Sequence, residues 1–101
     1  MAQITIKSFR PVVKNTLRGF AEVAFPFGLV IRDVSIHTKN DKSWASLPAK
    51  AQLTSDGSIK RTKEGKAEYS AVLVWETREL SDRFSERVVA LVKEGWPDAL
   101  K

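Results

Sequence analysis

The residues of this chain best suited to chemistry are its cations. Lys60, Arg61, Lys63 and Lys66 fall close together, with Glu64 the one acid among them. Lys50 precedes this cluster, and Lys39 and Lys42 flank a polar turn. Lysine and arginine bind phosphates by displacing condensed counterions, whatever the base sequence. Trp44 is the aromatic residue nearest these cations in the chain. An aromatic ring beside basic side chains is a candidate for base stacking, and core packing is the competing assignment for any tryptophan.

Groups suited to catalysis are scarce. His37 is the single histidine, and cysteine is absent. Asp33 shares a strand face with His37 but lies four residues away, roughly 13 Å along an extended chain. A general base needs a partner within hydrogen-bond reach, so His37 reads as a surface residue at a strand end. Glu76, Glu79, Asp82 and Glu86 are interleaved with Arg78, Arg83 and Arg87, the pattern of a salt-bridged solvent face. Gly57 and Gly65 stand alone rather than in a phosphate-binding run. The sequence therefore predicts no enzyme, no metal site, no cofactor and no small-molecule substrate.

Charge and length narrow the class. A chain of 101 residues implies one domain, residues 1–101. Residues 1–66 carry 12 Lys or Arg against 5 Asp or Glu, and residues 67–101 carry 5 against 7. A basic front and a mildly acidic back favour an anionic partner for the first two-thirds of the chain. The lack of cysteine suits an intracellular protein. The opening residues alternate polar and apolar, unlike a signal peptide, and no apolar run nears the roughly 20 residues of a membrane span. The expected setting is the cytoplasm.

The elements that must position these groups follow from hydropathy. Period-two alternation predicts strands over residues 3–9, 17–27, 29–38, 44–47 and 67–75. Pro11 is expected to limit the first strand. In the third, Val30, Arg32, Val34 and Ile36 fall on one face, so Arg32 interrupts an apolar set. Asn40 and Asp41 supply a turn, as do residues 54–57. The basic stretch 58–66 reads as a loop, and no internal repeat is apparent. Leu80, Phe84, Val88, Leu91 and Val92 form one stripe of a helix. Thr77 or Ser81 is placed to cap its start and Gly95 its end. The prediction is an α+β domain: an antiparallel sheet of four to five strands with one C-terminal helix packed on it. Many large apolar groups for one helix to cover favour self-association.

From residue 30 onward the order of segments resembles the stage V sporulation protein G (SpoVG) family of small bacterial regulators. The matching pieces are Val30-Ile31-Arg32-Asp33-Val34, then Trp44-Ala45-Ser46-Leu47-Pro48-Ala49-Lys50, then Thr54-Ser55-Asp56-Gly57, followed by the helix. The upstream strands match the family's opening hairpin in type. The chain departs from the pattern at Ala51-Gln52, where the family commonly has a basic residue, and in its longer basic loop. The resemblance implies an α+β homodimer that binds DNA or RNA in a regulatory role. It also puts Trp44 at a buried aromatic position of the family, which favours core packing over stacking, and gives Asp33 and Pro48 structural roles.

Two functions are expected from different classes. One is a nucleic-acid-binding homodimer that contacts DNA or RNA phosphates through Lys39, Lys42, Lys50, Lys60, Arg61, Lys63 and Lys66. The other is a protein-interaction module with an aromatic recruiting surface and no nucleic-acid role. Steep weakening with salt marks the first and not the second.

Overall fold

The computed structural model describes residues 3–100. Four strands, β1 (Thr5–Lys14), β2 (Leu17–Ala24), β3 (Val30–Lys39) and β4 (Lys42–Ser46), form an antiparallel sheet in the order β1-β2-β3-β4. A second, two-stranded sheet joins β5 (Ala49–Ala51) to β6 (Tyr69–Ala71), and helix α1 (Arg78–Gly95) closes the fold. The architecture is α+β, as the alternation and the terminal amphipathic stripe predict.

The helix buries Phe84, Val88, Val89 and Val92, and all of these but Val89 share one core with the sheet. Spacings of four keep Phe84, Val88 and Val92 on one stripe. They meet Ala21, Val23, Ile31, Val34 and Ile36 from the central strands. Phe84 sits between the Phe25 ring, stacked at 6.1 Å, and the Trp75 ring, tilted at 5.0 Å. Thr77 caps the helix, its hydroxyl accepting from the Leu80 N–H at 3.2 Å. The far end closes one residue beyond the expected Gly95: Trp96 is the cap, and its N–H reaches the Val92 carbonyl at 2.7 Å. Ser85 Oγ accepts the Ala45 N–H at 2.8 Å, so the helix occupies an amide of the edge strand β4.

Two sheet features depart from simple alternation. Strand β1 runs through Pro11, which pairs with Gly19. Proline is tolerated there because β1 is an edge strand, and its missing N–H costs no ladder bond on the outer side. In β3 the pairing skips between Val23↔Ile31 and Ala21↔Val34. Asp33 takes a left-handed φ of 60°, a conformation that Asp adopts more readily than most residues. This bulge shifts the parity of the strand. Ile31, Val34 and Ile36 all turn inward, and Arg32 is exposed instead of interrupting the core face.

Residues 49–71 form an arm in which no residue is fully buried. The stretch expected to be a loop is a pair of hairpins. Leu53 bridges Ile59, and Arg61 bridges Ala67. Gly57 donates to Thr54 O and Thr54 to Ser58 O, at 3.0 and 2.8 Å. Gly65 to Thr62 O and Thr62 to Lys66 O repeat that geometry at 2.9 and 2.7 Å. The two glycines carry φ of 86° and 83°. An octad repeat, LTSDGSIK then RTKEGKAE, therefore underlies the arm, contrary to the reading of no internal repeat. Its end residues lock together. Lys60 N donates to Gln52 O, Glu68 N to Lys60 O and Gln52 N to Glu68 O, at 2.8, 2.9 and 2.8 Å. Three segments eight residues apart thus meet in a closed ring of backbone hydrogen bonds.

Residues 67–75 do not form the single long strand expected. Ala67 bridges Arg61, Tyr69–Ala71 pairs with β5, and Val72, Leu73 and Val74 lie exposed beyond it. Trp75 packs inward. No helix among the described residues is long and apolar enough to cross a membrane.

Candidate nucleic-acid interface

Five of the seven predicted cations belong to the arm. Lys50 stands on β5, opposite Ser70. Lys60 lies in the backbone ring, its ammonium 3.5 Å from the Glu68 carboxylate. Both groups of that pair remain partly in solvent, so the pair is weak and easily exchanged for a phosphate. Arg61 donates from Nη1 to Gly65 O at 2.9 Å across the second hairpin. Lys63 and Lys66 belong to its turn, and all five side chains are exposed. In the first hairpin, Asp56 accepts from the Thr54 hydroxyl and from the Ser58 amide. The Thr54 hydrogen bond, with the Ser58 amide second, holds this carboxyl below the usual range.

Lys39 and Lys42 are set apart from the arm. They pair across the β3–β4 turn, in which Asn40 and Asp41 both take positive φ, 52° and 65°, as a two-residue hairpin turn of this hand requires. Strand β4 runs from Lys42 toward Ser46 and the arm follows Ser46. The two basic groups thus lie at opposite ends of β4.

The sheet itself carries much of the charge. Residues 5–46 hold seven Lys or Arg against three Asp or Glu, whereas α1 holds four of each. Arg10 lies over the Phe20 ring, 5.4 Å from its centroid. Arg18 donates from Nη1 to Asn15 O and Leu17 O at 2.8 and 3.0 Å.

Trp44 is not part of the core. It pairs with His37 across β3 and β4, on the sheet face turned away from α1. The two rings lie parallel within 10° at 5.4 Å. His37 is held by Thr16 Oγ1 at Nδ1, 3.0 Å, and by Ser35 Oγ at Nε2, 3.1 Å. Burial, with a smaller push from Arg18, lowers its pKa. Strand parity sends Ala45 inward and Trp44 outward, which is why an aromatic at this position misses the core. Phe20 and His37 on the same face were not predicted as site residues. The signal was present in the period-two pattern, since Phe20 and Glu22 fall opposite Ala21 and Val23.

No group of three or more His, Cys, Asp or Glu is placed to hold a metal among the described residues. No family model matches the chain, and no curated protein or solved structure matches it.

Proposed function

We propose that this chain is a small nucleic-acid-binding regulatory protein, acting as a homodimer that contacts DNA or RNA phosphates through its basic arm. The observation that carries this reading is the arm itself: Lys50, Lys60, Arg61, Lys63 and Lys66 are exposed on one projection whose backbone is fixed by a closed hydrogen-bond ring. A fixed backbone lets several cations engage successive phosphates without first ordering a loop. Lys39 and Lys42 offer a second contact at the other end of β4. The SpoVG-like order of segments points the same way. Self-association is supported by Val72 and Val74, 66% and 77% exposed, beside a groove lined by Ala45, Leu47, Leu73 and Trp75. Doubling the basic surface raises apparent affinity.

That same apolar run favours a second reading, a protein-interaction module whose recruiting surface is centred on residues 72–74. Salt separates the two. Labelled single-stranded DNA, duplex DNA and RNA, titrated by fluorescence anisotropy at about 50 mM and about 200 mM salt, should bind with a steep loss of affinity at the higher salt. Alanine at Lys50, Lys60, Arg61, Lys63 and Lys66 should abolish most of the binding and flatten the salt dependence. Salt-insensitive binding, or none, sinks the nucleic-acid reading and leaves the protein partner.

A further inference from the structure

Half-buried aromatics occupy a sheet face that no helix covers. Phe20 on β2 pairs with Arg10 on β1 and Ser35 on β3. His37, two residues beyond Ser35, pairs with Trp44 on β4. Antiparallel partners point to the same side of a sheet. The contacts agree: Arg10 covers Phe20, Ser35 bonds His37, and His37 stacks on Trp44. The neighbouring residues of the alternate set, Ala21, Val34 and Ile36, are buried under the helix. Phe20, His37 and Trp44 therefore make a row across three adjacent strands, with Phe20 and His37 as diagonal neighbours on the order of 7 Å apart.

An open antiparallel face ordinarily carries polar residues. Aromatic rings there, interleaved with arginines, are the arrangement that unpaired bases use: their π-faces stack on the rings while the backbone follows the cations. The charge fits. Arg10 covers Phe20, Arg18 lies close enough to His37 to act on its charge, and Glu22 is the acidic side chain on the same face of β2. Arg10 forms no ion pair among the described residues, so its charge is available to a phosphate. A duplex keeps its bases inside the helix and cannot use such a row.

We propose that the open face of the sheet binds single-stranded nucleic acid, with bases stacked on Phe20, His37 and Trp44 and phosphates held by Arg10 and Arg18. This rests on the nucleic-acid reading above and adds the strand form and the face that selects it. The arm then supplies strand-independent attraction, and the sheet supplies preference for unpaired bases.

The test compares two variants with the parent by anisotropy, using a labelled single-stranded oligonucleotide and the duplex made from it. The face variant is Phe20→Leu with Trp44→Leu, which keeps apolar bulk outside the core and removes two π-faces. The arm variant carries alanine at its five cations. The face variant should lose between about fivefold and about a hundredfold in single-strand affinity per ring removed, with duplex affinity within about twofold. The arm variant should lose both. Intrinsic fluorescence gives a second readout. Trp75 and Trp96 pack on the helix side against Phe84 and Phe9, so quenching by an unlabelled single strand that disappears in Trp44→Phe belongs to Trp44. Unchanged single-strand affinity in the face variant overturns the proposal while leaving the arm reading intact. A face variant that sediments differently from the parent also overturns it, because the row then serves a second copy of the chain. Failure of the parent to bind any nucleic acid overturns the functional reading and this proposal together.

Discussion

The Phe9 ring lies so close over Gly19 that a Cβ on residue 19 would sit 2.5 Å from Phe9 Cζ and 2.6 Å from the Arg10 carbonyl oxygen. The bare glycine lets Phe9 lie over β2 while its ring meets Trp96, 5.4 Å away between centroids. An edge strand, a central strand and the cap of α1 are joined by this one contact. Gly19→Ala must displace backbone as well as the ring. It should destabilise the fold by about 1–3 kcal/mol, lowering Tm by several degrees or more in a chain of this size. Thermal melting followed by circular dichroism checks it, and an unchanged Tm would contradict the packing.

This contact was not legible in the sequence, whereas the elements around it were. The alternation of β2 and the stripe of α1 are set by which side chains leave water, and they appear directly as periodicity. Asp33 shows where that reading stops. A bulge adds one residue to β3 and reverses its parity, so Arg32 moved from an expected core face to solvent. The arm failed differently. Its strands are one to three residues long, too short for a hydropathy period, and its order comes from backbone bonds at Gln52, Lys60 and Glu68. Only the repeated Thr-x-acid-Gly turns signalled it. Of the candidate site, the cations were visible as charge, but their division between the arm and the β3–β4 turn depends on the direction of β4.

Asp33 supplies the second prediction. A β-branched residue in a left-handed conformation costs roughly 1–2 kcal/mol, and glycine carries no such cost. Asp33→Val should therefore destabilise the domain by about that amount, and Asp33→Gly should be close to neutral. Denaturant unfolding of the two variants distinguishes them. Equal stabilities would mean that the side chain of Asp33, not its backbone, matters.

Gly95 and Gly65 should respond oppositely to alanine. Gly95 lies in the last helical turn with open space around it and no positive φ. Gly95→Ala should stabilise by about 0.5–1 kcal/mol through helix propensity. A left-handed cap at that position would instead give a loss. Gly65 also has open space but a φ of 83°, so Gly65→Ala should loosen the second hairpin. Hydrogen exchange at the Thr62 and Glu68 amides should then quicken by roughly tenfold, with little change in Tm, because the arm adds nothing to the buried core.

His37 makes stability depend on pH. Its pKa is lowered in the fold by burial, with Arg18 adding a smaller push. The unfolded chain, with histidine near its ordinary value of about 6.5, therefore binds the proton more readily than the folded one. Stability rises with pH wherever the unfolded state holds more protons. The contribution of neutral His37 is complete above about pH 6.5 and is lost as the pH falls from there through the lowered folded value. Thr16 and Ser35 hydroxyls meet the two ring nitrogens, and no carboxylate among the described residues forms an ion pair with the ring. Melting temperatures should fall between about pH 7 and about pH 5, and His37→Gln should flatten that part of the curve. Added salt should weaken the Arg18 share but not the share due to burial. A parent protein whose Tm is level across this window would show that the ring is not held neutral against Trp44.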